Sequence, residues 1–236
     1  PNTDVIFGGP PCQDYSLAGK GKGAEGERGK LVFRYLEIIA EKKPKAFVFE
    51  NVKGLVTKKH RDTFDALLEK FNEIGYDVSW QVINAWDYGV AQKRERVFIV
   101  GIRKDLGLTF EFPKPMEGDY RTKVLRDVIG DLPEPEAQIN GGHLSNNYGT
   151  KYEMANRKES FEKPGATVTA HHRCSYTHPG DEQRRFTVRE CMRIQSVPDW
   201  YVLPDDLSLS AQYRIVGNGI ASRVAWYIGK ALAEQL

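Results

Sequence analysis

The chain has 236 residues, 40% hydrophobic and 28% charged, with 34 Lys and Arg against 32 Asp and Glu. That length can bury a good core in one or two domains. No apolar run approaches the ~20 residues of a membrane span, and a net charge of +2 carries no bulk signature of a nucleic-acid partner.

Taken in order, Asp4 to Phe7 reads as a short buried strand. It runs into Gly8-Gly9-Pro10-Pro11-Cys12-Gln13-Asp14-Tyr15-Ser16, where the glycines allow a sharp turn and the prolines stiffen it. Leu17 to Lys30, rich in Gly and Lys, has no apolar periodicity and reads as a mobile surface loop. Leu31 to Lys42 is amphipathic and helical, and Ala46 to Phe49 is a wholly apolar strand that ends at Glu50-Asn51-Val52. A second helix is expected from Arg61 to Ile74, stopped by Gly75, followed by strands at Val78 to Asn84 and Val97 to Ile102. The order strand, helix, strand, helix, strand is that of a parallel α/β sheet. The last two strands have no helix between them and are expected to form an antiparallel pair at the sheet edge.

Beyond Gly101 the texture becomes irregular, with Val124 to Ile129 the clearest periodic piece. Helical pattern returns from Phe186, where Thr187 and Glu190 have the spacing of a capping box. A last helix spans about Ala221 to Leu236. The expected organisation is therefore residues 1–104 as a partial catalytic α/β domain, 105–185 as a target-recognition region, and 186–236 as a hinge helix and a C-terminal helix. Cys12, Cys174 and Cys191 are too few and too scattered for a disulfide framework or a zinc cluster, which suits a reducing, cytoplasmic compartment. His171 and His172 have no third ligand at metal-binding spacing.

Three polar groups fall at strand ends: Cys12, then Glu50-Asn51, then Gln92-Lys93-Arg94-Glu95-Arg96 entering Val97. If the last pair is antiparallel, all three reach one edge of the sheet, the edge where α/β folds bind ligands. A thiol, a carboxyl group and guanidinium groups then converge. Each has a plainer reading: Cys12 as a small buried hydrophobe, Glu50 as a solvated cap, Arg94 and Arg96 as surface partners of Glu95 or Asp87.

Five stretches in order make the sequence resemble the DNA (cytosine-5)-methyltransferases. They are Gly8-Gly9-Pro10-Pro11-Cys12-Gln13 with Ser16, Glu50-Asn51-Val52, Gln92-Lys93-Arg94-Glu95-Arg96-Val97, Thr187-Val188-Arg189-Glu190-Cys191 with Gln195 and Pro198-Asp199, and Gly217-Asn218-Gly219. The resemblance implies a Rossmann-like fold dependent on S-adenosyl-L-methionine, with a small irregular target-recognition domain. It also implies a cytosine flipped from duplex DNA, with Cys12 attacking carbon 6 and the methyl group going to carbon 5. Glu50 would bind N3 and the exocyclic amine, and Arg96 the O2, with Arg94 beside it. Leu31 and Asn218 would contact the cofactor. Gln13, Ser16, Lys20, Lys22, Arg28, His171, His172 and Arg173 are the expected DNA contacts.

The family's opening strand and glycine-rich cofactor turn have no counterpart, since Pro1 lies almost on the first strand. The expectation is a catalytic fragment or subunit of restriction-modification type, incomplete in isolation, with the cofactor-binding part cut away or supplied by a second polypeptide. A non-catalytic DNA-binding partner of the same fold is the alternative, disfavoured by the presence of Cys12, Glu50 and Arg96 together. A dinucleotide-dependent oxidoreductase has only the α/β order in its favour, with no Gly-x-Gly-x-x-Gly after a strand.

Overall fold

A computed structural model describes residues 3–11, 27–135, 157–170 and 176–236. Its elements are β1 (Val5–Gly8), α1 (Glu27–Lys42), β2 (Ala46–Val52), α2 (Arg61–Glu73), β3 (Tyr76–Asn84), β4 (Glu95–Arg103), α3 (Leu125–Ile129), β5 (Arg157–Lys158), β6 (Tyr176–His178), β7 (Asp181–Arg185), α4 (Val188–Ile194), α5 (Leu209–Asn218) and α6 (Ser222–Gln235). The chain divides into two compact units. One comprises Pro1–Ile83, Glu95–Pro113 and Lys230–Leu236, the other Asn84–Arg94 and Lys114–Gly229.

The first unit is built on a sheet of order β1-β2-β4-β3. β1 runs parallel to β2, and β4 runs antiparallel to β2. The apolar run Ala46-Phe47-Val48-Phe49 is buried throughout, as a central strand covered on both faces must be. α1 and α2 cover it with Val32, Leu36 and Ile39 and with Phe64, Leu67 and Phe71. The Phe47 and Phe71 rings lie 4.3 Å apart, and a fully buried phenylalanine of this kind contributes about 3–5 kcal/mol. β1 departs from its expected burial. Among the described strands it is paired on one side only, and Phe7 is 46% exposed. The helix after it also starts earlier than its periodicity suggests, at Glu27, so Glu27 to Lys30 are helical and not loop. The rest of the expected loop, Leu17 to Gly26, lies outside the described residues.

The second unit packs α3, α4 and α5 around Leu125, Val188, Cys191, Ile194, Tyr213 and Val216. The capping box is made on both sides: Glu190 N donates to Thr187 Oγ1 at 3.1 Å, and Thr187 N donates to Glu190 Oε2 at 2.7 Å. Two features were not expected. One is the small sheet β5-β6-β7, whose strands are too short to show a period of two. The other is α5, which Ser208 caps by accepting from Ala211 N at 3.3 Å. Among the described residues no helix is long and apolar enough to cross a membrane, and no cluster of His, Cys, Asp and Glu could hold a metal ion.

Candidate active site

The antiparallel pairing of β2 and β4 sets the site in the first unit. Its register places Val52 opposite Arg96 and Glu50 opposite Phe98. Residues two apart on a strand share a face, so Glu50 and Arg96 are diagonal neighbours across the ladder. Arg96 Nε stands 3.1 Å from Glu50 Oε1, with the two side chains 18% and 11% exposed. Burial pulls the Arg96 guanidinium below its ordinary pKa and the Glu50 charge opposes that pull. The group remains a cation. Its Nη1 also donates to Glu95 O at 2.8 Å. The plainer ion pairs go elsewhere: Glu95 to Lys53 at 2.8 Å, and, in the second unit, Asp87 to Arg121 at 2.7 Å.

The loop after β1 is tied to the same strand end. Asn51 Nδ2 donates to Pro10 O at 2.8 Å, and its Oδ1 accepts from Val52 N at 3.0 Å. The carboxamide is thus held from both ends and latches the proline loop to β2. A Cβ built on Gly9 would lie 3.0 Å from Glu50 Oε2, so any larger residue here presses on the carboxylate. The latched loop leads into Cys12. Chemically, an acceptor carboxylate beside a donor guanidinium, both mostly withdrawn from water, suits a planar ligand edge carrying amine and carbonyl groups.

Of the residues singled out from sequence, the structure brings Glu50 and Arg96 together. Cys12, Gln13, Ser16, Lys20, Lys22, His171, His172 and Arg173 lie outside the described residues. Arg28 falls in the first turn of α1, and Leu31, one turn on, is 48% exposed. Asn218 is the exposed last residue of α5.

Arg94 is the correction. Alternation suggests that it projects beside Arg96, but it is 3% exposed in the second unit. Nη1 donates to Val168 O at 2.8 Å, and Nη2 donates to Gly217 O at 3.0 Å and Gly219 O at 2.9 Å. Strand alternation fails because β4 begins only at Glu95. Gln92, fully buried, accepts from Val168 N at 2.9 Å and donates to Gln195 Oε1 at 3.4 Å. Gln195 Nε2 in turn donates to Val216 O. Sequence reasoning noted Gln92, Gln195 and Asn51 without giving them a task. Their one signal is a polar amide placed where the structure excludes water.

The model of the C-5 cytosine-specific DNA methylase family matches residues 1–234. The chain is 37% identical to Type II methyltransferase M.MthTI of Methanothermobacter thermautotrophicus, with 100% of this chain and 80% of that one aligned. It is also 37% identical to Type II methyltransferase M.FnuDI of Fusobacterium nucleatum, covering 78% of that protein. In structure it is similar to the Entamoeba histolytica methyltransferase EhMeth, with a TM-score of 0.73 at 17% identity over 98% of this chain and 77% of that one. It is also similar to the S. pombe Dnmt2 methyltransferase, with a TM-score of 0.69 at 16% identity over 98% of this chain and 78% of that one. Likeness at these identities concerns the fold.

Proposed function

Because the chain belongs to the C-5 cytosine-specific DNA methylase family, we propose that it methylates carbon 5 of a flipped-out cytosine as the modification enzyme of a restriction-modification system. The largely buried Glu50–Arg96 pair beside the Asn51-latched loop is the observation that carries this reading. The Cys12 sulfur forms a bond to cytosine carbon 6, and the electron pair of the 5,6 double bond moves into the ring. Arg96 donates to O2, where negative charge develops, from a site dry enough to make that charge matter. Glu50 accepts from the exocyclic amine and holds a proton at N3 as that nitrogen gains basicity. When a base takes the carbon 5 proton, the pair from that carbon–hydrogen bond re-forms the 5,6 double bond and the carbon–sulfur bond breaks, which returns the thiolate.

S-adenosyl-L-methionine supplies the electrophilic methyl group. Two of the chain's residues fit it: Leu31 as an exposed apolar contact and Asn218 as an exposed carboxamide able to donate and accept. In the same reading residues 105–185 recognise the target. Gln13, Ser16, Lys20, Lys22 and Arg28 meet the DNA around the flipped base, and His171, His172 and Arg173 read a groove.

The test uses the full-length protein, cofactor, and duplex DNA carrying 5-fluorocytosine, whose carbon 5 has no proton to lose. A covalent adduct at Cys12, absent in Cys12→Ser, is the expected result. An adduct that persists in Cys12→Ser removes the assigned role.

A further inference from the structure

Arg94 is a buried charge that the reaction above does not use. Its three carbonyl acceptors come from two places in the second unit: Val168, and the turn Gly217–Gly219 that ends α5. Gln92 holds Val168 from its amide side, and Gln195 donates to both Val216 O and Gly219 O. The two segments also touch directly. A Cβ on Gly217 would stand 2.2 Å from the Thr169 carbonyl carbon and 2.3 Å from Ala170 N, so the backbones are in contact and glycine is required there. Upstream, Gly165 N donates to Ala91 O at 2.9 Å, Lys93 N donates to Gly165 O at 2.9 Å, and Thr167 Oγ1 donates to Lys93 O at 2.8 Å. The stretch from Gly165 to Ala170, which leads into His171, is thus held along its length by residues 91–94. One guanidinium then ties its Val168 to the turn that presents Asn218.

We propose that Arg94 is a positioning residue: by binding Val168, Gly217 and Gly219 at once, it sets the Asn218 carboxamide for the cofactor and locks that turn to the segment feeding the DNA-reading residues. The proposal rests on the reading that Asn218 contacts S-adenosyl-L-methionine. A rigid planar fork reaches three carbonyls at fixed angles, whereas an ammonium on a flexible stem does not. Geometry, not charge, is therefore what the position supplies. A contribution to the reacting base through charge alone would survive replacement by lysine.

Calorimetry of full-length protein with S-adenosyl-L-homocysteine separates these cases without any turnover. Arg94→Lys and Arg94→Met are both expected to weaken binding about tenfold or more, the scale of losing hydrogen bonds to a charged donor. Asn218→Ala is expected to weaken it similarly, and Arg94→Lys combined with Asn218→Ala to weaken it no further, because the two act through one contact. Gln195→Met, which removes donors to the same turn without touching a charge, should shift affinity in the same direction, and it covers the case of Arg94 variants that do not fold. Wild-type affinity in Arg94→Lys, fully multiplicative losses in the double variant, or wild-type affinity in folded Gln195→Met would each overturn the proposal. Failure of the parent reading is visible in one arm: wild-type protein that binds no S-adenosyl-L-homocysteine removes both.

Discussion

Arg96 Nε lies 3.1 Å from Glu50 Oε1 as a diagonal pair across two antiparallel strands. Removing either group takes the opposite charge from the other in a mostly dry place. Arg96→Met is therefore expected to cut methyl transfer by about 10²–10³ and to lower the unfolding free energy, since Glu50 stays mostly buried but loses the Arg96 charge. Single-turnover methylation and urea unfolding, read together, check both halves. A variant that loses rate but no stability would mean that the pair is not held in the free enzyme.

Gly9→Ala isolates proximity from chemistry. Gly9 is not among the positive-φ glycines, so the backbone admits alanine. The new methyl group would press on Glu50 Oε2 at 3.0 Å. The carboxylate must shift by a few tenths of an ångström, and a misplacement of that order costs about tenfold or more in rate. The melting temperature should stay within about 2 °C of wild type. Full activity in Gly9→Ala would show that Glu50 does not work from this position.

Asn51→Ala cuts the latch on Pro10 while leaving Glu50 and Arg96 in place. Loss of one side-chain hydrogen bond predicts a fall in stability of about 1 kcal/mol. A larger effect is expected on kcat than on the KM for DNA, since the loop leads in sequence to Cys12, the proposed nucleophile. The same loss of kcat in Asn51→Asp, which keeps the acceptor for Val52 N but not the donor, would assign the effect to the Pro10 bond.

Acid sensitivity of the second unit should trace in part to Asp119. Burial would raise its pKa, but the Tyr227 hydroxyl and the Arg223 guanidinium, the latter at 2.6 Å, more than offset it, and the net direction is down. A carboxylate lowered on folding contributes stability that is fully present above the unfolded value, about 3.9, and lost as pH falls through the folded value. The stability gap between wild type and Asp119→Asn should therefore be widest near pH 7 and shrink below about pH 4. Equilibrium unfolding at the two pH values measures it, and a gap that does not change with pH removes Asp119 from the account.

The sequence by itself determined the sheet and the strand ends at which Glu50 and Arg96 meet. The wholly apolar Ala46 to Phe49 could only be a covered strand, and two strands without a helix between them placed Arg96 at the same edge as Glu50. Those readings rest on periodicity and connection length, which are local properties of the chain. Only the tertiary structure decided what Arg94, Gln92 and Asn51 do. Their partners, Gly217, Gln195 and Pro10, lie 123, 103 and 41 residues away. No local pattern encodes which carbonyl a buried donor will find, because that is settled by packing after the strands and helices exist.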